Sequence, residues 1–290
     1  MKIVTRTLAT LSLVASICMA APAAQAYTYG PRVSVSPACG YNVINGRTYR
    51  CTFDDEFSGA SLDTSKWYVN TGFVTGDASA YACTVNDPRY ISVSGGYLHL
   101  TATKVSTPVS CGGAAAPTYY EAPTVSTWHL FSQQYGHYEI RMRTTASTTP
   151  GLQESLWMWP DDRYSAVNWP LSGEIDVAET YSNYPNLVIP YLHYTATDNG
   201  GAIPGTNTAW NCAVQRGVWN TYTVDWTATS ITIGVNGTTC LVNTSGDPAF
   251  QKRYILAISQ ALGFGGDAAT SATTLPATTD VDYVRVWAPM

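Results

Sequence analysis

The sequence predicts an all-β protein, built either as a two-sheet antiparallel sandwich or as a barrel. Short runs rich in β-branched and aromatic residues recur along the chain and are separated by Gly, Pro, Asn and Asp. No segment of a dozen residues carries a helical stripe, and no repeat of constant period suggests a propeller or solenoid. Charged residues make up only 12% of the chain, which also holds 20 Tyr and 9 Trp. This composition favours one β-rich domain.

Eight segments carry the strand pattern. They are Tyr97–Thr103, Gly136–Arg143, Leu152–Trp159, Leu187–Thr197, Trp219–Trp226, Ser230–Val235, Tyr254–Ser259 and Val281–Trp287. The dipeptide Asn236-Gly237 follows an alternating run and predicts a hairpin. Two Gly/Ala/Pro-rich segments, Lys104–Pro123 and Asp198–Asn211, are predicted loops, which either rim a binding face or are plain surface insertions.

The N-terminal residues 1–26 have the features of a secretory signal peptide. A basic start precedes the apolar stretch Leu11–Met19, and an Ala-x-Ala cleavage motif ends at Ala26. The apolar stretch is about half the ~20 residues that a membrane span needs. We therefore expect a secreted protein cleaved after Ala26, with an extended arm at 27–46 and a single domain at 47–290.

The charge balance excludes several classes of partner. The net charge is −5, and cleavage after Ala26 would also remove Lys2 and Arg6. Without a basic stripe, neither nucleic acid nor an anionic membrane is an expected partner. A neutral partner fits better, and we expect a monomer.

Six cysteines remain after residue 26. An even number in an exported chain indicates disulfides, for which fifteen pairings are possible. Spacing favours the sequential pairs Cys39–Cys51, Cys83–Cys111 and Cys212–Cys240. A zinc site is disfavoured because no Cys-x-x-Cys pair is present and no His neighbours a cysteine.

The most unusual stretch is Gly173–Glu179, with three carboxylates among apolar residues. On a helix the three acids would point in different directions. On a strand, Glu174 and Asp176 share one face, and a single β-bulge near Val177-Ala178 would bring Glu179 to the same face. We therefore predict a bulged strand with three acids on one face.

Two carboxylates that flank one bond are the requirement for glycoside hydrolysis. Crowding also raises the pKa of at least one acid, which suits a proton donor. Two other interpretations remain open from the spacing alone, a calcium site and a solvated acidic strand.

Aromatic residues surround the acidic stretch and favour a sugar ligand, because aromatic rings stack on the C–H faces of sugars. Trp157, Trp159 and Trp169 precede the acids, and Tyr181 and Tyr184 follow them. We expect at least half of these five to be core residues. Trp169 lies in a loop-like stretch and is the strongest candidate for ligand contact.

Several segments together resemble glycoside hydrolase family 16, in the subgroup whose active-site strand reads E-[ILV]-D-x-x-E. The matching segments are Trp169-Pro170 with Gly173–Glu179, Asp54–Phe57, Leu62–Trp67, Tyr135–Arg141, Leu156–Pro160, Trp219–Trp226 and Val281–Trp287. The resemblance implies a concanavalin A-like β-jelly roll with a cleft across its concave sheet.

The resemblance also implies roles for individual residues. In retaining cleavage, Glu174 would be the nucleophile, Glu179 the acid/base and Asp176 an assisting acid between them. Trp169 would stack near the cleaved sugar, and His193 would hydrogen-bond close to the acids. With Trp157 and Tyr181 as further aromatic contacts, these residues form the predicted substrate-binding set.

No cofactor is expected for catalysis. Some family members bind a structural calcium ion on the convex face. The matching ligands here would be the Asp282 side chain with main-chain oxygens near Glu56 and Gly96.

The predicted function is a secreted retaining endo-glycosidase that acts on a neutral β-linked polysaccharide, with β-1,3-glucan as the first choice. A galactan hydrolase of the agarose or carrageenan type and a transglycosylase are alternatives on the same fold. A non-catalytic lectin is the alternative from another class. The absence of clustered basic residues disfavours sulfated galactans.

Overall fold

Two β-sheets packed face to face form the part of the protein that the structure describes. The structure, a computed structural model, describes residues 39–112, 116–197 and 206–290, all within one compact unit. The nineteen strands in these ranges are β1 Tyr41–Ile44, β2 Arg47–Asp55, β3 Tyr68–Asn70, β4 Val74–Asp77, β5 Ala80–Thr84, β6 Ile91–Ser94, β7 Tyr97–Val109, β8 Thr118–Ala122, β9 Thr124–Ser126, β10 Gly136–Arg143, β11 Leu152–Pro160, β12 Glu174–Tyr181, β13 Leu187–His193, β14 Cys212–Ala213, β15 Asn220–Trp226, β16 Ile231–Val235, β17 Thr238–Asn243, β18 Tyr254–Leu262 and β19 Ala277–Pro289. Two short 3-10 turns, Pro248–Phe250 and Gly265–Asp267, accompany them.

Within the described residues, the two sheets differ in size. The larger sheet has twelve strands in the order β17-β16-β15-β10-β19-β7-β8-β5-β4, with β1, β2 and β6 attached beside this path. The smaller sheet has seven strands in the order β14-β13-β12-β11-β18-β9-β3. Among the described strands, β5 and β8 form the one parallel pair. The prediction of an all-β, two-sheet antiparallel architecture is confirmed.

The hydrophobic core lies between the sheets. Ile140 and Val284 enter it from the larger sheet, and Leu156, Ile175 and Ile258 enter it from the smaller one, all fully buried. Each such side chain stabilises the fold by about 1.5–3 kcal/mol relative to an exposed one. Because strand side chains alternate, the other side chains of β11, β12, β13 and β18 point away from the core. We call that outer surface of the smaller sheet the site face.

All eight predicted strands are present. The predicted strand Leu187–Thr197 ends earlier, at His193. The Asn-Gly hairpin is also confirmed, because Val235 pairs with Thr238 across a turn in which Asn236 and Gly237 have φ of 50° and 78°. Two positive φ angles are the requirement of a type I′ turn.

One predicted loop is wrong over most of its length. Within Lys104–Pro123, strand β7 continues to Val109 and strand β8 begins at Thr118. The sequence did not predict this extension of β7 because the residues from Lys104 to Pro108 lack the apolar alternation that marks a half-buried strand. In the structure they are largely exposed. Residues 198–205 of the second predicted loop, Asp198–Asn211, lie outside the described residues.

The boundary between the predicted arm, 27–46, and the domain also shifts. Strand β1 pairs with β2 across a turn at Asn45-Gly46, where both residues have positive φ. This is the same dipeptide that marked the later hairpin, and it begins the larger sheet before residue 47. The signal peptide and residues 27–38 lie outside the described residues.

The three sequential disulfides are confirmed. Cys39 is bonded to Cys51, Cys83 to Cys111 and Cys212 to Cys240. Disulfides of this kind are typical of proteins that leave the reducing cytosol. In the part of the chain that the structure describes, no helix has the length and apolar character of a membrane span.

Candidate active site

Strand β12 contains the predicted bulge. On its β13 side, Asp176 pairs with Tyr191 and Glu179 pairs with Ile189, so two residues of β12 oppose a single one of β13. On its β11 side, the register shifts between Leu156 and Trp157. The extra residue returns Glu179 to the face that carries the other two acids, as expected from the alternation of side chains along a strand.

The apolar residues of β12 anchor the acids by facing the core. Ile175, Val177 and Ala178 are at most 1% exposed and belong to the core between the sheets. Asp176 is 6% exposed, and Glu174 and Glu179 are half-buried. A solvated acidic strand is therefore excluded.

Glu174 is held by the loop that precedes its strand. The indole N–H of Trp169 donates to Oε2 of Glu174 at 2.6 Å. Gly173 connects the two with a φ of +89°, and a Cβ at this position would collide with the hydroxyl of Tyr254. Both constraints require glycine, which explains the Gly before the first acid.

Asp176 faces a histidine from β13. Nε2 of His193 lies 3.2 Å from Oδ2 of Asp176, and the imidazole stacks on Tyr191 with ring centroids 4.2 Å apart. The register pairs His193 with Glu174, so the imidazole lies beside two acids. One ligand atom from each of Glu174, Asp176 and His193 lies within 4.8 Å of the others. These three residues are therefore a group able to hold a metal ion.

Glu179 is held by two neutral donors. Nε2 of Gln153 donates to Oε1 of Glu179 at 2.7 Å, and the hydroxyl of Tyr181 donates to the same oxygen at 3.0 Å. Sequence reasoning missed Gln153. It lies four residues before Trp157 on the same face of β11, but only the pairing of β11 with β12 shows that it reaches an acid.

Burial raises the pKa of all three acids. For Glu174, the negative charges of Asp176 and Glu179 add to the effect of burial, while His193 and the bond from Trp169 oppose it. Burial and the charge of Glu179 raise the pKa of Asp176. The pKa of Glu179 is raised by burial against the donors Tyr181 and Gln153. The cluster can therefore keep a proton at a pH where free carboxylic acids have lost theirs.

Comparison with known proteins decides the family. Residues 77–285 match the family described as Glycosyl hydrolases family 16. The chain belongs to this family.

Two curated relatives match most of the chain. A keratan-sulfate endo-1,4-β-galactosidase of Sphingobacterium multivorum is 29% identical over 271 residues, which cover 89% of this chain and 60% of the relative. Glucan endo-1,3-β-glucosidase A1 of Niallia circulans is 29% identical over 266 residues, which cover 81% of this chain and 37% of the relative. The chain thus spans less than two thirds of either relative.

The fold is that of solved family 16 proteins. The endo-β-1,3-glucanase of Pyrococcus furiosus superposes with a TM-score of 0.71 at 20% identity, covering 86% of this chain and 98% of that one. The two-sheet sandwich is therefore a β-jelly roll.

The aromatic residues around the acids are not core residues. We expected at least half of Trp157, Trp159, Trp169, Tyr181 and Tyr184 to be buried, and this expectation is wrong: four are half-buried and Tyr184 is 45% exposed. The prediction failed because alternation places Trp157, Trp159 and Tyr181 on the site face and the other two lie in loops, while other aromatics fill the core. The most buried of those are Trp67, Trp226, Tyr138, Tyr222 and Tyr254.

Trp157 lies next to the central acid. Its backbone pairs with Asp176, and its indole N–H donates to Oγ of Ser259 at 3.1 Å. Trp159 packs edge-to-face against it at 6.1 Å. The structure therefore brings the acids together with Trp157, Trp169, Tyr181 and His193, the predicted substrate-binding set.

The predicted calcium ligands lie on the other sheet. Asp282 lies on β19 at the point where β19 stops pairing with β7 and begins to pair with β2. Gly96, just before β7, and Glu56, just after β2, therefore lie on either side of Asp282 along the register. However, Arg141 forms an ion pair with Asp282, and Arg285 bonds Glu56 at 2.7 and 2.8 Å. A calcium ion would have to compete with Arg141 for the carboxylate, and this site stays a prediction.

Proposed function

We propose that the protein is a secreted, retaining endo-glycoside hydrolase that cleaves a neutral β-linked polysaccharide, with β-1,3-glucan as the first choice. The observation that carries the proposal is the bulge between Asp176 and Glu179, which puts one buried and two half-buried carboxylates on one face beside Trp157 and Trp169. Paired carboxylates that flank a glycosidic bond are the machinery of this reaction.

In the first step, the carboxylate of Glu174 attacks the anomeric carbon while Glu179 gives its proton to the departing oxygen. In the second step, Glu179 takes a proton from water, and the resulting hydroxide oxygen displaces Glu174 from the sugar. Trp169 supports this assignment, because its N–H stabilises the carboxylate form of Glu174. When Asp176 holds a proton, its charge no longer opposes the ionisation of Glu174.

The site face supports a neutral substrate. The outward side chains of β11, β13 and β18 are uncharged polar, aromatic, aliphatic or small, apart from His193. Those of β12 are the three acids and Tyr181. No Lys or Arg lies among these outward positions, whereas recognition of sulfate groups calls for such cations.

The decisive experiment is a substrate screen with active-site variants. Laminarin, mixed-linkage glucan, agarose and carrageenan are each incubated with wild type, Glu174→Gln and Glu179→Gln, and reducing ends are counted. We expect wild type to cleave laminarin and each variant to lose at least a thousandfold in rate. Turnover near wild type in either variant would disprove the assignment.

Product analysis separates the alternatives. NMR of the first product should show retained anomeric configuration, and an inverted product would exclude double displacement. Products longer than the substrate would identify a transglycosylase. Saccharide binding without any new reducing ends would identify a lectin.

A β-galactan is the second candidate substrate. It is favoured by the similarity to the keratan-sulfate endo-galactosidase, which equals the similarity to the glucanase at 29%. Cleavage of agarose without cleavage of laminarin would establish it.

Three further properties are proposed on the basis of the sequence. Secretion with cleavage after Ala26 is testable by N-terminal sequencing of the exported protein, and a monomer by its mass in solution. Structural calcium predicts that Ca²⁺ raises the melting temperature of wild type but not of Asp282→Asn.

A further inference from the structure

Gln153 and Tyr181 bond the same oxygen of Glu179. Gln153 belongs to β11 and Tyr181 to β12, and the register pairs the two residues directly. Their donors lie 2.7 Å and 3.0 Å from Oε1 of Glu179, and Nε2 of Gln153 lies 3.1 Å from the hydroxyl oxygen of Tyr181. The three side chains thus form a closed triangle of hydrogen bonds.

The chemistry of the triangle fixes the direction of each bond. An amide nitrogen has two hydrogens, and here one points to Glu179 and the other to the oxygen of Tyr181. The hydroxyl of Tyr181 is then left to donate its single hydrogen to Glu179. Burial and the charge of Glu179 raise the pKa of Tyr181, so the phenol keeps this hydrogen.

We propose that Gln153 and Tyr181 are positioning residues that confine the transferable proton of Glu179 to Oε2. The inference rests on the proposed function of Glu179 as the acid/base. An oxygen that accepts two hydrogen bonds has no room for a proton of its own, because that proton would point at a donor hydrogen. The protonated acid therefore carries its hydrogen on the other oxygen.

This arrangement works in both steps of the reaction. Oε2 gives its proton to the glycosidic oxygen as the C–O bond breaks and Glu174 bonds to the anomeric carbon. Oε2 later takes a proton from water as the water oxygen bonds to that carbon and Glu174 leaves. Throughout, Oε1 keeps its two donors, because both the carboxylate and the carbonyl oxygen of the acid accept hydrogen bonds, the carboxylate more strongly.

The two donors also oppose the effect of burial on Glu179. Hydrogen bonds to the charged form of an acid lower its pKa, and both residues do so here while burial raises it. Loss of either donor should therefore raise the pKa of Glu179. Because the glycosylation step needs protonated Glu179, the alkaline limb of kcat/KM should then move to higher pH.

The test compares Gln153→Met and Tyr181→Phe with wild type, since both changes keep the approximate shape and remove the donor. We expect each variant to shift the alkaline limb upward by about one pH unit, the scale of one hydrogen bond to a charged group. We also expect kcat to fall about tenfold on substrates with poor leaving groups and much less on aryl glycosides that leave without a proton.

The matched control is Phe264→Leu. The ring of Phe264 packs edge-to-face against Tyr181 at 5.9 Å but gives no hydrogen bond to Glu179. The alkaline limb of kcat/KM in Phe264→Leu should coincide with that of wild type. Unshifted limbs in both donor variants, or an equal shift in the control, would overturn the proposal.

A second readout does not depend on activity. Carboxyl carbons of ¹³C-labelled protein are titrated by NMR, and Glu179 is assigned by its loss in Glu179→Gln. We expect the Glu179 resonance to titrate at higher pH in Gln153→Met than in wild type. If no substrate is cleaved, the proposed function fails while this titration still decides the inference, and an unchanged midpoint would overturn it.

Discussion

The carboxylates of this protein fall into two groups that differ in their partners. On the outer face of the larger sheet, Asp280 and Asp282 are ion-paired with Arg143 and Arg141. On the site face of the smaller sheet, Glu174 and Glu179 are bonded by neutral donors, and Asp176 meets a histidine. A guanidinium gives a carboxylate a counter-charge, whereas a neutral donor gives it a hydrogen bond without one.

The contrast also occurs within one strand. Glu154 and Gln153 are neighbours on β11, but Glu154 points toward the core and is bonded by Arg216 at 2.6 and 2.8 Å. Gln153 points to the site face and donates a hydrogen bond to Glu179. Alternation along one strand thus separates a structural ion pair from the proposed proton-transfer site.

The largest expected effect comes from breaking the buried ion pair with Glu154→Gln. The side chain of Arg216 is 3% exposed and would be left without its counter-charge, which typically costs about 3–5 kcal/mol of unfolding free energy. Urea unfolding measures the loss. The double variant Glu154→Leu with Arg216→Met should recover much of it, and a loss below about 1 kcal/mol in the single variant would contradict the role.

A smaller effect, of opposite sign, is expected from Asp176→Asn. Burial raises the folded-state pKa of Asp176 above its unfolded value, so its contribution to stability is present at low pH and is lost as pH rises. Asn resembles the protonated form and should gain about 0.5–2 kcal/mol over wild type at pH 7. Unfolding at pH 4 and pH 7 measures this, and a larger gain at pH 4 would refute it.

The smallest effect is expected from the exposed ion pairs. Arg143 is 39% exposed at its side chain and shares Asp280 with His99. Arg143→Met should therefore change the free energy of unfolding by less than about 1 kcal/mol and leave kcat unchanged. A loss comparable to that of Glu154→Gln would show that the outer face contributes more than its exposure suggests.

The sequence alone determined the features that depend on local pattern. Alternation of side-chain types predicted the strands, and Asn236-Gly237 predicted a hairpin. The spacing of Glu174, Asp176 and Glu179 required a bulge if all three acids were to share a face. These predictions succeeded because strand period and turn geometry are properties of neighbouring residues. The same reasoning applied to Asn45-Gly46 would have placed the start of the sheet correctly.

Only the tertiary structure decided which residues from distant segments meet. The donors of Glu179 lie on two strands, and nothing near Gln153 in the sequence marks it as a partner of an acid. The exposure of Trp157 and Trp159 likewise depends on which face of β11 the core covers. Pairing between strands and packing between sheets set these contacts, because both join residues that the chain itself keeps apart.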